Sequence, residues 1–192
     1  VEEFVKTVNL ISPISQESWL ELSQISTVID VPKKTKLNKI GEYPHSFYFM
    51  ISGNARGYIN TSNNTEYNKA LFTENMFFGA LAALVKNTNS RVAYETLTNS
   101  RIVKINFRKF IELVETREDI NLLYIKLLET IFLRLEQRDI EMVTLDATER
   151  YLKLKERLPN IDKEISLYQI ASNLGITAIQ LSRIRKKLLF KK

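Results

Sequence analysis

Apolar positions change period twice along the chain, and each change marks an element boundary. Up to residue 27 they fall at helical spacing, with Ser15 placed to cap a helix that carries Trp19, Leu20 and Leu22. Short β-branched and aromatic runs then take over: Val28–Val31, Phe47–Ile51, Tyr58–Asn60, Tyr67–Phe72, Val92–Tyr94 and Arg101–Ile105. Pro, Gly and Asn bound them, and Thr61-Ser62-Asn63-Asn64-Thr65 reads as a turn. The series predicts roughly eight strands in an antiparallel barrel or sandwich.

Helical spacing returns at Asn106, which is placed to cap residues 107–114. Thr116-Arg117-Glu118-Asp119 resembles a capping box and opens a longer helix. Along it Ile120, Tyr124, Leu127, Ile131 and Leu135 form a stripe, widened by Leu123, Leu128 and Phe132. The pattern runs to about Thr144, a helix of ~27 residues and ~40 Å. So long a helix overhangs a small barrel, and a homodimer seam along the stripe is the economical expectation. The competing reading packs the stripe wholly on the chain's own β domain. Asp146–Glu149 is a connection or cap, helix Arg150–Leu158 stops at Pro159, and the boundary falls near Leu145–Asp146.

The last pattern is the most specific. Ser166-Leu167-Tyr168-Gln169 is an S-x-x-Q box, and Leu167, Ile170, Ala171 and Leu174 give one apolar face. Gly175 then stands where a left-handed residue ends a helix. Thr177-Ala178-Ile179-Gln180 is a second box, followed by a buried stripe of Leu181, Ile184 and Leu188. Two short helices about a glycine turn describe a helix-turn-helix, whose second helix enters a DNA major groove. Opposite that stripe lie Ile179, Arg183 and Lys186, flanked by Ser182 and Lys187. Arginine suits guanine or phosphate, and an aliphatic group suits a thymine methyl. The bland alternative is a solvated helical hairpin with a basic face.

Charge favours the nucleic-acid reading. Of 192 residues, 44% are hydrophobic and the net charge is +6. Residues 149–192 hold 11 Lys+Arg against 4 Asp+Glu, whereas the preceding 148 hold 17 against 18. A neutral body with a cationic end is the footprint of a polyanion binder. Cysteine is absent and His45 is the only histidine, so disulfides, cysteine-held metals and a His-based triad have no material. An 18-residue apolar run is absent as well, and in a chain opening Val-Glu-Glu no signal peptide is expected. The expectation is a cytoplasmic protein that is neither an enzyme nor membrane-bound.

The order of these elements resembles the Crp/Fnr family of bacterial transcription regulators, over nearly the whole chain. The residues that carry the resemblance are Gly41-Glu42, Phe47–Tyr58 and Phe78-Gly79-Ala80-Leu81 in the strand region. Glu149-Arg150-Tyr151-Leu152, Ile170–Thr177 and Leu181–Lys186 extend it into the tail, in the manner of the family's Bacteroidetes branch. The resemblance implies an α+β fold: an N-terminal antiparallel β-roll of the cyclic-nucleotide-binding kind (1–115), a long dimerisation helix (116–145) and a helix-turn-helix domain (146–192). It also implies double-stranded DNA as partner, a homodimer and a contact with RNA polymerase. The other function carried forward is a small-molecule-binding or interaction module with only non-specific nucleic-acid affinity.

Family members that bind cyclic nucleotides carry Gly-Glu-Leu and, further on, an Arg followed by a small residue. Here the cassette reads Gly79, Ala80, Leu81, and the arginine position falls on Ser90, with Arg91 one residue away. A one-residue offset in a strand points a side chain to the opposite face. Losing both charged partners removes most of the affinity for cAMP or cGMP, so no cofactor is expected and any other effector is unknown. At the DNA end the family's base-reading positions fall on Ala178, Ile179 and Arg183, with Thr177 and Ser166 as phosphate contacts. Gln180 either reads adenine or caps Thr177, and Arg185 is expected to be structural. With Lys192 soon after the second helix, no β-wing is expected.

Overall fold

The computed structural model describes residues 2–63 and 65–189. Asn64 of the expected turn and the last three residues, where the β-wing expectation falls, lie outside them. The N-terminal helical stretch is two helices, α1 (Glu2–Ile11) and α2 (Gln16–Gln24), rather than one run to residue 27. Pro13 lies in the break, the Ser15 hydroxyl accepts from the Ser18 amide, and strand β1 (Ser26–Val31) has begun by residue 26.

Seven further strands follow: β2 (Lys36–Asn38), β3 (Ser46–Ser52), β4 (Ala55–Asn60), β5 (Glu66–Phe72), β6 (Phe77–Phe78), β7 (Ala93–Thr96) and β8 (Ser100–Asn106). They form two antiparallel four-stranded sheets, β1-β8-β3-β6 and β2-β7-β4-β5. Between the sheets lie Tyr48, Met50 and Ile102 from one and Ala55, Phe72 and Tyr94 from the other, with Phe78. Phe47, Phe49, Val103 and Ile105 leave the opposite face of the first sheet and meet Phe4, Val8, Leu22, Phe107 and Phe110. Strand β3 is therefore buried on both faces, which is why its sequence is a continuous apolar run instead of an alternation. A short helix, α3 (Leu81–Lys86), follows β6; sequence periodicity is too brief there to announce it.

Helix α4 (Phe107–Thr116) is capped by Asn106, which accepts from the Lys109 amide. Helix α5 runs Glu118–Thr144, 27 residues, but not from the expected capping box. Arg117 holds its N-cap position without a side-chain bond, and Thr116 turns back onto the Glu112 carbonyl. Asp119 instead accepts from the Ser15 amide and the Ser18 hydroxyl, each at 2.7 Å, and pins α5 to the start of α2.

The expected dimer stripe needs correction. Ile120, Leu123 and Leu127 are buried in the chain's own core, where Tyr124 packs partly against them and meets Phe110 edge-on. Of the five residues assigned to the seam, Ile120, Tyr124 and Leu127 thus face inward. Ile131 is half-buried and Leu135 exposed. Besides Leu135, the apolar groups that α5 leaves uncovered are Leu122, Ile125, Phe132, Leu133, Ile140 and Val143.

The remaining helices form a head around a second core. They are α6 (Ala147–Arg157), α7 (Ile161–Glu164), α8 (Leu167–Leu174) and α9 (Ala178–Leu189). Asp146 and Glu149 make a reciprocal capping box that opens α6. Tyr151, Leu154, Ile161, Ile170, Ala171, Leu174 and Leu181 fill the centre, and Leu71 of β5 joins them.

Candidate nucleic-acid interface

Helix α8 ends at Gly175, whose φ of +70° is left-handed and places its N–H on the last carbonyls of the helix. A Cβ there would also meet the Met142 methyl at 3.2 Å, so the turn is built for glycine. Thr177 then starts α9: its hydroxyl accepts from the Gln180 amide at 3.1 Å, and Gln180 Oε1 accepts from the Thr177 amide at 2.9 Å. The side chain of Gln180 is therefore held in the cap, which decides between its two sequence readings in this structure.

Burial sorts the residues of α9. Leu181 is fully buried, and Ile184 and Leu188 pack against the same core. Ala178 packs there as well, so it is a lining residue more than part of the free face. Ile179 stands 67% exposed, and Ser182, Arg183, Lys186 and Lys187 are exposed with it, as are Thr177 and Ser166. Among the described residues, Arg183, Lys186 and Lys187 enter no ion pair. Their charge is uncommitted, as a polyanion contact requires.

Arg185 behaves differently. It reaches Asp162 at 3.7 Å, and the same carboxylate takes the Tyr151 hydroxyl at 2.6 Å and Lys155 at 3.2 Å. Asp162 thereby links α6, α7 and α9. Burial, reinforced by the bond to Asp162, pushes the Tyr151 phenol well above its ordinary range, so it stays a donor.

The S-x-x-Q box at the start of α8 does not form. Ser166 makes no side-chain cap bond, and Gln169 turns to Asn68 on β5. This contact belongs to a polar cluster that sequence reasoning missed. Its sequence signal is slight: an amide, Asn68, inside a run that otherwise reads as a strand, and a charged Arg56 just before another.

The effector-pocket candidates are placed in the roll. At Gly79 (φ +149°) a Cβ would lie 3.1 Å from Phe47, and Ala80 is buried at the start of α3, just before Leu81. Ser90 is buried too, its hydroxyl donating to the Val92 carbonyl at 2.7 Å; Arg91 is exposed. Aromatic rings fill the space between the sheets: Phe72 stacks on Phe78 at 5.1 Å, with Tyr48 at 5.4 Å from Phe78 and Tyr94 at 5.9 Å from Phe72. Burial raises both phenols, that of Tyr48 to about 12.

An aromatic-filled β-roll, a 27-residue helix and a helical head with one uncommitted basic face define the class. Residues 28–117, the core of the roll, match the family described as cyclic nucleotide-binding domain. Over nearly the whole chain the fold is similar to that of solved transcription regulators. The c-di-GMP-responsive global regulator CLP of Xanthomonas campestris is 18% identical, with a TM-score of 0.69 over 92% of this chain and 93% of that one. FixK2 from Bradyrhizobium japonicum is 17% identical, with a TM-score of 0.72 over 87% and 86%. A protein from Eubacterium rectale described as a transcriptional regulator of the crp/fnr family is 13% identical, with a TM-score of 0.73 over 93% and 85%. No curated protein matches the chain. No helix among the described residues is long and apolar enough to cross a membrane.

Proposed function

We propose that this chain is a sequence-specific DNA-binding transcription regulator of the Crp/Fnr type, acting as a homodimer in the cytoplasm, where it would also meet RNA polymerase. The observation that carries the reading is the exposure of Arg183, Lys186 and Lys187, free of ion pairs among the described residues, on the face of α9 turned from its core. In this role Arg183 contacts a base, Ile179 and Ser182 flank it, and the lysines with Ser166 and Thr177 hold phosphates. Residues 1–115 form the β-roll, 116–145 the dimer helix and 146–192 the reading head.

Dimerisation runs along the uncovered face of α5. Leu122, Ile125, Phe132 and Val143 follow coiled-coil spacing there, with Glu129, Glu136 and Asp139 at the intervening seam positions and Ile140 beside the last of them. Two heads joined this way favour pseudo-palindromic half-sites about one helical turn apart.

The roll acts without cAMP or cGMP. Supporting this are the buried methyl of Ala80 and the Ser90 hydroxyl committed to its own turn, where the family's charged partners would stand, and the aromatic rings between the sheets.

The deciding experiment is selection of genomic fragments by the purified full-length protein. An enriched, palindromic sequence whose affinity falls steeply with salt is expected. Equal affinity for random and selected duplexes would instead identify an interaction module with loose nucleic-acid affinity.

A further inference from the structure

The outer face of the second sheet carries a side-chain cluster that the reading of α9 does not use. Arg56 is 6% exposed, yet its guanidinium is held by Glu95 at 2.6 Å and Glu66 at 2.7 Å and lies 4.0 Å over the Tyr58 ring. Asn68, fully buried, donates to both the backbone carbonyl and the side chain of Gln169 on α8. Its amide donates to the Ser172 hydroxyl at 2.9 Å, and its carbonyl accepts from Asn173 at 3.2 Å. Arg138 of α5 closes the junction by donating to the Lys69 carbonyl, the Tyr67 hydroxyl and the Asn173 carbonyl.

A register shift aims these groups. Gly57 pairs with Ala70 and Tyr58 with Asn68, so Lys69 is a bulge residue. Without it, Asn68 and Leu71 would point to opposite faces; with it, both point at the head, while Ala70 and Phe72 point into the roll. The head thus meets the roll through a small apolar contact, buried Leu71 with Met76 and Leu97, set beside amides, hydroxyls and guanidinium groups. Such an interface is directional. Apolar patches tolerate sliding, whereas three hydrogen-bonding residues of Asn68's partners on a single helix tolerate only one rotation of it.

We propose that Arg56, Asn68 and Arg138 form a clamp that fixes the orientation of the head on the roll, so that intramolecular contacts set the spacing at which paired half-sites are read. The clamp leaves α9 open, since its contacts are on α8 and the Ile179–Arg183 face is exposed. Within a roll whose interior is already filled, it supplies the preset geometry that a bound ligand would otherwise have to impose. The clamp residues are positioning residues: they touch the head and not the DNA. The spacing part of the proposal rests on the DNA-reading role above, and the distance measurement below does not.

The test uses the full chain and exploits its lack of cysteine. Spin labels at Lys104→Cys on the roll and Lys163→Cys on the head, both exposed positions, report roll-to-head distance in spin-diluted samples. One narrow distance is expected, broadened by Asn68→Ala and by Gln169→Ala; the second variant changes the head side only and guards against misfolding of the sheet. In parallel, duplexes carrying two selected half-sites are offered with spacers stepped across one helical turn. The clamped protein should prefer one spacer by about tenfold, the equivalent of one or two ordinary hydrogen bonds, and both variants should lose most of that preference. Binding to a single half-site should stay within about twofold, because none of these groups contacts DNA. A narrow distance that survives both substitutions, or a spacer preference that does, overturns the clamp. A wild type that selects no half-site removes the DNA-reading role, and the distance result alone then decides whether the head is clamped.

Discussion

Replacing Phe132 with alanine should weaken the dimer without weakening the fold. Phe132 lies in the fourth turn of α5 and is 63% exposed in the single chain. Burying a whole Phe side chain stabilises by about 1.5–3 kcal/mol, so covering that exposed fraction contributes about 1–2 kcal/mol. A two-fold interface uses the residue twice, which brings the loss to about 2–4 kcal/mol per dimer. The dissociation constant should therefore rise about 30- to 1000-fold. Sedimentation equilibrium over a wide concentration range measures it directly. Leu10→Ala is the control: at 78% exposed on α1 it removes comparable apolar surface away from the α5 seam and should leave the constant unchanged. Ile120→Ala should do the opposite of Phe132→Ala. It lies in the core at 0% exposure, so it should cost about 2–5 kcal/mol of chain stability, with the dimer affected only through the fold. A wild type that sediments as a monomer, or a Phe132→Ala dimer whose constant moves less than about threefold, refutes the seam.

Three further outcomes are expected. Arg183→Ala should cost about 1–3 kcal/mol for the selected sequence and relax preference at one base position, while Lys186→Ala should weaken all sequences alike; competition binding on single-base variants separates the two. Gly175→Ala should destabilise the head by about 1–2 kcal/mol through the left-handed backbone and crowding of Met142, read as a lower midpoint in urea unfolding. Burial acts to raise the Asp119 carboxyl, but bonds from Ser15, Ser18 and the Ile120 amide outweigh it and hold its pKa below 3.8. Its stabilising contribution is thus present above the unfolded value and lost as pH falls through the depressed folded value. Urea titrations should show the wild type losing its advantage over Asp119→Asn between about pH 5 and pH 2. An advantage that persists unchanged to pH 2 would show that the Asp119 contacts are immaterial.

Short-range chemistry was legible in the chain because its causes are short-range. Caps at Ser15, Asn106, Asp146 and Thr177–Gln180 depend on groups within about four residues, and Gly175 answers a purely local backbone demand. The length of α5 was readable to its last residue, since nothing between Glu118 and Thr144 breaks a helix. The charge asymmetry was also explicit, and with it the basic face of α9.

The failures share a different cause. Helix α5 has apolar residues on more than one side, and periodicity names the stripes without saying which one the α1–α4 layer covers; that layer reaches only the first turns. The S-x-x-Q box at Ser166 and the box at Thr116 satisfied local rules, yet Gln169 and Asp119 found stronger partners more than one hundred residues away in sequence. The bulge at Lys69 leaves no composition signal, because any residue can occupy it, and it alone turns Asn68 and Leu71 to one side. Sequence by itself therefore determined the elements, their caps and the sign of each surface, all set by neighbours along the chain. Which faces meet, and what holds the head against the roll, was decided only by the tertiary structure, where the competing partners are brought within hydrogen-bond reach.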